Sequence, residues 1–386
     1  ALSDPSPSEE VFRRNGPRAV ILGKYLYIDG GYVSGPAAPK CCTTTKDTFA
    51  IDISKSWDPK DAKFLKLASE TRKKGVYRSG FVADENKQAI YLWGGRRDIK
   101  PLDRQLWKLV PDGNGNGTWS SEITTGIAGL VSTESSAHTV AQGLGFWFGG
   151  GINELTERTS NAAAIGTSVS GYVTYNFTAK TWTNHTDVPD AIKSPWAATA
   201  TYIPDVGPNG VIVLIGGLSS TNSPLAIDFG TIYLMDPVTM VWYNQKASGH
   251  LPARRMDHCA VGVQGDNNTY EIFMYGGARD ASDEAGKDTP FGDVWVLSLP
   301  GFVWHQADGA GINPRTHHAC VRAGNRQMLS IGGVNTTGSD GMSTKDSLPQ
   351  GLGIFDMTRM EWKETYNADA EPYATPEIIK KWYADG

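Results

Sequence analysis

The sequence of 386 residues contains few cysteines and no long apolar segment. Its four cysteines cannot form the dense disulfide framework that holds many small secreted domains together. No apolar run approaches the roughly 18 residues that a membrane helix needs, so we predict no membrane span in this chain. The formal net charge of -5 gives no reason to expect nucleic acid or an anionic membrane surface as a partner. Composition therefore predicts an ordinary globular protein.

A repeat runs through almost the whole chain. An apolar segment that ends in two glycines occurs six times, and a tryptophan follows each one, with 58 to 63 residues between successive tryptophans. The double glycines are Gly30-Gly31, Gly94-Gly95, Gly149-Gly150, Gly216-Gly217, Gly276-Gly277 and Gly332-Gly333. The tryptophans are Trp57, Trp119, Trp182, Trp242, Trp304 and Trp362. This regularity indicates one supersecondary unit that occurs six times.

Residues 254–304 contain the unit in its clearest form. A basic start with His258 leads into a short apolar strand, a polar hairpin over 265–269 turns the chain back, and an apolar strand ends on Gly276 and Gly277. Two further strands follow, and the last one carries Trp304. Four antiparallel strands form a sheet that cannot bury both of its faces alone, so it needs neighbours of its own kind.

These residues resemble the kelch repeat, with its polar or basic start, its strand closed by Gly-Gly and its outer-strand tryptophan. The resemblance covers residues 15–366 and implies an all-β fold, a six-bladed kelch-type β-propeller. It also implies that each double glycine ends the second strand of a blade and that each of the six tryptophans lies on the outermost strand. The chain is similar in character to secreted or membrane-anchored kelch proteins of filamentous fungi.

The regions outside the repeat have different compositions. Residues 1–14 form an N-terminal arm, of which 10–14 could add a strand to the last blade and help to close the ring. Residues 367–386 form a tail, in which Thr375 and Pro376 predict the start of a short helix over 377–383.

Several features indicate that the protein is secreted, either free or as the ectodomain of a membrane-anchored protein. The chain begins with Ala1-Leu2 rather than Met, and it has five Asn-x-Ser/Thr acceptor sites, which predict a glycoprotein. The acceptors are Asn116, Asn176, Asn184, Asn267 and Asn335.

The cysteines allow more than one pairing. Cys41 and Cys42 are adjacent, and in an oxidising compartment they could close on each other; they could also bridge elsewhere or remain free thiols. Alignment of His258 with His318 places Cys259 opposite Ala319, so the thiols of Cys259 and Cys320 would point to opposite faces of equivalent strands. We therefore expect no bridge between them.

The resemblance also implies where a ligand would bind. In a kelch blade the start of the innermost strand and the loop after the double glycine lie on the same face of the disc. Several arginines and histidines of this sequence occupy these positions, so we expect this face to be locally cationic. Guanidinium groups bind carboxylate, sulfate or phosphate, and aromatic rings stack on sugars. We predict a site for an anionic small molecule, an acidic or other carbohydrate-like ligand, or an acidic segment of a partner protein. The predicted ligand-binding residues are Tyr32, Arg78, Arg96, Arg97, Trp196, Arg255, His258, Arg279, Arg315 and His318. The alternative role for His258 and His318 is to hydrogen-bond neighbouring blades.

Known activities of related propellers fit the sequence poorly. Galactose oxidase needs a Tyr cross-linked to a Cys and two His on copper, whereas the one adjacent His pair here is His317-His318. The iron-binding spacing of nitrile-specifier kelch proteins is matched by Glu284 and Asp288 but is broken at Gly292. The Asp-box of sialidases does not occur. We predict no cofactor and no metal.

An enzyme remains the alternative to a binding protein. A hydrolase, lyase or cyclase could use Arg and His groups at the channel mouth with a loop carboxylate, for which Glu154, Asp280 and Glu284 are the candidates. Two carboxylates, or a carboxylate and a His, within about 10 Å of each other at the channel mouth would favour this alternative.

Overall fold

The computed structural model describes residues 13–35, 38–68, 71–72, 74–97, 104–156, 167–219, 226–279, 290–307, 311, 313–335 and 339–385. Within these residues the fold is all-β, with one α-helix near the C-terminal end. No helix in this part of the chain is long and apolar enough to cross a membrane.

Six antiparallel sheets form the blades, in chain order. Blade 1 and its loop contain β1 (Arg13–Asn15), β2 (Arg18–Leu22), β3 (Tyr25–Asp29), β4 (Tyr32–Gly35), β5 (Ala38–Thr44), β6 (Thr48–Asp52) and β7 (Leu65–Lys66). Blade 2 contains β8 (Gly80–Asp84), β9 (Ala89–Trp93), β10 (Leu106–Pro111) and β11 (Gly117–Glu122). Blade 3 contains β12 (Ala137–Ala141), β13 (Leu144–Phe148), β14 (Gly151–Ile152), β15 (Thr167–Ser168), β16 (Tyr172–Asn176) and β17 (Thr181–His185).

The second half of the chain repeats this arrangement. Blade 4 contains β18 (Thr199–Ile203), β19 (Val211–Ile215), β20 (Thr231–Met235) and β21 (Trp242–Lys246). Blade 5 contains β22 (Ser248–Gly249), β23 (Cys259–Gln264), β24 (Tyr270–Tyr275), β25 (Val294–Leu299) and β26 (Val303–Gln306). Blade 6 contains β27 (Ala319–Ala323), β28 (Gln327–Ile331), β29 (Leu352–Asp356) and β30 (Glu361–Lys363), and the tail helix is α1 (Glu377–Asp385). Short 3-10 turns cover Ile127–Gly129, Asp190–Ile192, Asp266–Asn268, Ser339–Met342 and Pro349–Gly351.

The blades close into a ring around a central channel. The innermost strands β2, β8, β12, β18, β23 and β27 contact one another in this order, and β27 returns to contact β2. The apolar core of the described residues lies between successive blades: the side chains of each sheet pack on those of the next, as in the cluster of Leu26 and Ile28 with Leu329 and Ile354. Each blade therefore depends on its neighbours to bury its faces.

Every double glycine follows the last residue of a second strand, as predicted. The second glycine of each pair has φ between 82° and 95°, a conformation that favours glycine. Its N–H donates to the carbonyl that lies four residues before the innermost strand of the next blade, at 2.7 to 3.0 Å. The six pairs are Gly31 to Val76, Gly95 to Thr133, Gly150 to Pro195, Gly217 to Arg255, Gly277 to Arg315 and Gly333 to Arg14.

The N-terminal strand takes part in ring closure, but not as an added strand of the last blade. Residues 1–12 lie outside the described part of the chain, and β1 pairs with β4 in the loop of blade 1. The carbonyl of Arg14 nevertheless accepts the hydrogen bond from Gly333 of blade 6. The Arg13 side chain also reaches blade 6, where it forms an ion pair with Asp346 at 3.2 Å.

Five of the six repeat tryptophans lie on the fourth strand of their blades, and Trp57 does not; in blade 5 the two-residue strand β22 pairs outside β26, the strand that carries Trp304. The fourth strand of blade 1 is β7, which lies eight residues after Trp57. Trp57 instead forms an isolated bridge with Tyr366 and stacks on its ring with 4.8 Å between centroids. In blade 1 this tryptophan therefore fastens the segment that follows blade 6, which explains why its position differs from those of its equivalents.

The tail helix α1 is confirmed, two residues longer than predicted. Its Ile379 is fully buried, and the Tyr383 hydroxyl accepts a hydrogen bond from the N–H of Gly301 at 2.9 Å. Thr375 before the helix accepts a hydrogen bond from the N–H of Asp266 in the hairpin of blade 5. The helix is therefore packed on blade 5.

The expectation for Cys259 and Cys320 is wrong, because these residues form a disulfide bond with 5.5 Å between Cα atoms. The side chains do lie on opposite faces of equivalent strands: Cys259 belongs to the cluster between blades 5 and 6, whereas Ala319 packs between blades 6 and 1. Neighbouring blades, however, touch through opposite faces, because one face of each sheet meets the reverse face of the next. Opposite-facing positions are therefore the ones that meet. Nothing is described of the side chains of Cys41 and Cys42, so their pairing stays a prediction.

We expect a side chain at the second glycine to cost more stability than the left-handed backbone conformation alone would cost, because nearby atoms leave no room for a Cβ. A Cβ on Gly217 would lie 2.6 Å from the carbonyl oxygen of Trp196 and 2.7 Å from the Cβ of Ala198, whereas Gly207 in the same blade has φ +70° and nothing within 4 Å. Gly207→Ala should lower the free energy of unfolding by about 1 kcal/mol from the left-handed conformation alone. Gly217→Ala should lower it by roughly 2 kcal/mol more, because backbone atoms must shift. Urea titration of both variants measures the difference, and equal losses would contradict the close approach of the segment before β18 in the same blade as the constraint.

Candidate functional site

A closed ring of backbone hydrogen bonds surrounds one end of the channel. Its six members lie two residues before the innermost strands, and each N–H donates to the carbonyl of the member from the preceding blade at 2.9 to 3.2 Å. All six have φ between 55° and 64°, although only one is glycine. The left-handed conformation costs about 1–2 kcal/mol for each of the others, so the ring is held by the surrounding fold. The members of this annulus are Gly16, Arg78, Ser135, Ala197, Asp257 and His317.

An ion pair spans the annulus from one side to the other. Arg78 and Asp257 occupy opposite positions in the six-membered ring, and the Arg78 guanidinium contacts the Asp257 carboxylate directly. Both side chains are buried. The pair therefore forms a bar across the channel mouth.

His317 forms the second contact of the Asp257 carboxylate, with 3.0 Å between Nε2 and Oδ2. Burial, and then the positive charge of Arg78, hold the pKa of His317 well below its usual value. The neutral ring therefore donates its Nε2–H to Asp257, and the charge of Asp257 is balanced by Arg78. Nδ1 of His317 has no hydrogen-bond partner among the described residues.

Arg18, the first residue of β2, places a second guanidinium inside the channel. Its Nε donates to the Ser79 carbonyl at 2.7 Å, and within the described residues it forms no ion pair. Burial, followed by the neighbouring charge of Arg78, lowers the pKa of Arg18 to about 10. The group remains charged at neutral pH, but its charge is poorly compensated.

An aromatic and ionic cluster lies beside the annulus. The Tyr32 and Tyr77 rings are 4.3 Å apart between centroids, and the Arg96 guanidinium carbon lies 4.9 Å from the Tyr77 ring centre. Arg96 forms an ion pair with Glu134 at 3.4 Å, and Asn153 donates to the same carboxylate oxygen at 3.1 Å. Arg96 is about one quarter exposed, so this cluster borders solvent.

Among the described residues at the annulus and in the adjoining aromatic cluster, positive charges outnumber negative charges by one. Arg18, Arg78 and Arg96 supply three positive charges, and Asp257 and Glu134 supply two negative ones. The channel encloses a cavity of about 460 Å³, lined by the annulus and by the innermost strands. Arginine presents its donors in a planar fork that suits a carboxylate or phosphate.

Two of the predicted ligand-binding residues have a structural role instead. Arg255 and Arg315 are fully buried, and each donates to the carbonyl of the first glycine in its own blade, Gly276 or Gly332. Their carboxylate partners are Asp293 at 2.5 Å and Asp346 at 3.1 Å. These arginines lie four residues before the innermost strand, below the double-glycine turn, whereas the annulus lies two residues before it. They are therefore not available to a ligand.

The two predicted histidines connect blades. His258 bonds to the Thr199 hydroxyl at 3.1 Å, and His318 donates from Nε2 to the Tyr275 carbonyl at 3.1 Å. Both side chains are buried. This matches the alternative role that we gave them, although both rings also line the channel cavity.

The remaining predicted residues lie further out on the same face. Trp196 is half-buried and its backbone pairs with Leu218. Arg97 and Arg279 are half-buried, and Arg279 lies 5.4 Å from the Phe291 ring centre. Glu154 is exposed, whereas Asp280 and Glu284 lie outside the described residues.

The structure thus brings Tyr32, Arg78 and Arg96 together at the mouth, with His317 beside them. Sequence reasoning missed Arg18, Glu134, Ser135 and Asp257 as members of the site. The signal was present, because alignment of the repeats on their innermost strands places Arg78, Asp257 and His317 at equivalent positions. That alignment could not reveal which of them meet across the channel.

We expect His138 on the channel wall to make the protein less stable in acid. Burial, and then the charge of Arg18, lower the pKa of His138 to about 3, whereas the unfolded chain titrates near 6.5. The unfolded chain binds more protons between these values, so stability falls as the pH decreases from about 6.5 towards 3, by up to about 1.4 kcal/mol per unit. His138→Asn should flatten this dependence in urea titrations between pH 7 and pH 4.5. An identical slope in the variant and the parent protein would contradict the assignment.

Comparisons with known proteins agree with this architecture. A family described as "KLHDC2/KLHL20/DRC7 Kelch-repeats domain" matches residues 16–277 and 208–376. The chain is 25% identical over 408 residues to a "Kelch repeat-containing protein" of Arthroderma benhamiae, which covers 95% of this chain and 59% of that protein. The chain therefore spans about three fifths of the length of that relative.

Animal proteins and a solved structure are also similar to the chain. "Kelch domain-containing protein 3" of Bos taurus is 23% identical over 351 residues, covering 88% of this chain and 83% of that protein. The solved structure titled "Structure of YjhT" superposes with a TM-score of 0.63 at 14% identity, covering 92% of this chain and 98% of that one. This structural likeness extends to the fold alone. Since the family match spans most of the sequence, the chain belongs to the kelch-repeat domain family.

Proposed function

We propose that the channel mouth binds a ligand with one accessible negative charge, such as the carboxylate of a small molecule, of an acidic sugar or of an acidic protein segment. The observation that carries this proposal is Arg18, a charged guanidinium inside the channel that has no carboxylate partner among the described residues. Like charges in a partly buried site repel, and a bound anion relieves this repulsion.

The other groups at the mouth suit such a ligand. Tyr32 and Tyr77 are buried and pack against the partly exposed Arg96, so they hold its guanidinium group in place at the edge of the mouth rather than contact the ligand themselves. The Arg78–Asp257 bar and the Arg96–Glu134 pair are already neutralised, so they would orient the ligand more than attract it. The cavity of about 460 Å³ limits the inserted part to a small group.

The matched pair of variants is Arg18→Met, which removes the charge and keeps most of the side-chain volume, and Arg254→Ala, which removes an exposed arginine. Small carboxylates, acidic sugars and acidic peptides are screened by thermal shift at low and raised salt. A ligand should stabilise the parent protein in a salt-sensitive way. Arg18→Met should weaken its Kd by at least about tenfold, which corresponds to about 1.4 kcal/mol, and Arg254→Ala should leave it unchanged.

The second measurement is the melting temperature of each protein without ligand. Arg18→Met without ligand should melt at the same temperature as the parent protein or higher, because it removes an uncompensated buried charge. If the variant melts several degrees lower and still binds the ligand, Arg18 is a structural residue and the proposal is wrong.

An enzyme is the second candidate, and the Asp257–His317 contact supports it. A carboxylate and a His at 3.0 Å meet the criterion derived from the sequence. Asp257 fixes the Nε2–H tautomer, which leaves the lone pair of His317 on Nδ1. Because burial holds the pKa of His317 well below its usual value, the ring would act as a weak general base. Two results would favour this candidate. The parent protein should release a bound ligand in chemically altered form, and His317→Asn should still bind the ligand but no longer convert it.

We also propose that the protein is secreted. The Cys259–Cys320 disulfide and the five acceptor sites support an oxidising compartment, and the Arthroderma benhamiae relative supports the resemblance to fungal kelch proteins. Asn184 and Asn267 are exposed, whereas Asn116, Asn176 and Asn335 are half-buried.

Secretion through a eukaryotic host should therefore add glycans first at Asn184 and Asn267. Intact-mass analysis before and after glycosidase treatment measures the total, and peptide mapping assigns the sites. Asn335 should be modified least, because its side-chain oxygen accepts a hydrogen bond from Arg13 at 3.0 Å. A secreted chain with no mass shift would contradict the glycoprotein assignment.

A further inference from the structure

Two cysteines and a histidine converge in the channel wall between blades 5 and 6. The sulfurs of Cys259 and Cys320 and one ring nitrogen of His318 all lie within 4.8 Å of one another. In the oxidised chain the sulfurs are joined as a disulfide. The cluster lines the same cavity as Arg18 and Arg78 but uses neither of their side chains.

The hydrogen bonding of His318 prepares one of its nitrogens for a metal. A carbonyl oxygen can only accept, so the 3.1 Å contact with Tyr275 means that Nε2 carries a proton and donates it. Nδ1 is buried and has no hydrogen-bond partner among the described residues, and the residue as a whole is 3% exposed. Metal-bound histidines almost always donate their second N–H to a carbonyl or carboxylate in this way, which fixes the tautomer and the orientation of the ring.

We propose that the reduced chain holds a metal site formed by the thiolates of Cys259 and Cys320 and by Nδ1 of His318. The bound ion is Zn²⁺ or a similar thiophilic divalent cation. Two thiolates and an imidazole are a ligand set that zinc prefers. Three protein ligands leave a fourth tetrahedral position, and all three residues line the channel cavity, so water or a ligand from the channel completes the coordination.

The disulfide and the metal are alternative occupants of the same two sulfurs. A low-molecular-weight thiol supplies the reducing electrons: its thiolate attacks Sγ of Cys320, which is the more accessible sulfur, and Cys259 leaves as a thiolate. A second thiol resolves the mixed disulfide, so that two small thiols become one small disulfide and the protein gains two thiols. Metal binding then releases the two thiol protons. Either occupant links the innermost strands β23 and β27, so the connection between blades 5 and 6 persists in both states.

Direct metal binding tests this proposal. The protein is reduced with a phosphine under anaerobic conditions, incubated with Zn²⁺ or Co²⁺, and separated from free metal by gel filtration. The reduced parent protein should retain one equivalent of Zn²⁺ per chain and melt at a higher temperature with the metal than without it. The Co²⁺ form should show thiolate-to-cobalt charge-transfer absorption. The oxidised protein should retain no metal.

The variants separate this cluster from the other pair of cysteines. Cys41→Ser with Cys42→Ser is the control and should bind as the parent does. Cys320→Ser should lose the charge-transfer band and the bound equivalent. His318→Gln keeps a side-chain N–H that can donate to Tyr275 but removes the ligand nitrogen, so it should weaken Kd by at least about tenfold.

Two outcomes would overturn the proposal. One is a reduced parent protein that retains no more metal than the oxidised form. The other is metal that remains bound in Cys320→Ser and is lost in the Cys41→Ser, Cys42→Ser control. If His318→Gln does not fold, the two cysteine variants and the charge-transfer band decide the question alone.

Discussion

The hydrogen bond from the second glycine of each double glycine to the next blade is the contact on which the ring depends. It occurs at all six junctions, and the last one, from Gly333 to Arg14, joins the end of the repeat to its beginning. The glycine is needed for two reasons: its φ is near 90°, and the segment before the innermost strand of its own blade lies too close to leave room for a Cβ. A net contribution of about 1 kcal/mol per hydrogen bond is modest. The hydrogen bond matters more for the relative position of the blades. It fixes how the faces of successive sheets meet and hence which apolar side chains pack together.

The same arrangement of the blades places the charged residues in two layers. Arginines four residues before an innermost strand, such as Arg255 and Arg315, lie beneath the glycine turn and are neutralised by carboxylates of their own blades. Residues two positions before the strand form the annulus around the channel. There the Arg78–Asp257 pair crosses the opening, and Arg18 remains with an uncompensated charge. A difference of two to four positions within the repeat therefore separates the structural arginines from Arg78 and Arg18, which line the channel cavity.

The way in which the blades face one another also determines the chemistry of the cysteines. Because the front of one sheet packs on the back of the next, residues offset by one position in the repeat come together, and Cys259 meets Cys320. His318 enters the same cluster because its ring reaches back to the Tyr275 carbonyl of blade 5. The inter-blade role of this histidine and its proposed role as a ligand are compatible, since they use different ring nitrogens.

The sequence by itself determined the architecture: the six repeats, the end of each second strand, five of the six outer tryptophans and the tail helix. These features depend on local chemistry, namely the apolar period of a strand, the backbone freedom of glycine and the start signal at Thr375 and Pro376. Only the tertiary structure decided the rest. The disulfide joins residues 61 positions apart, Trp57 pairs with Tyr366 across the closure of the ring, and Arg78 meets Asp257 across the channel. Each of these contacts depends on the rotation of one sheet relative to another. A repeat in the sequence gives equivalent residues the same position within their own blades, but it does not state which blades, or which of their faces, come into contact.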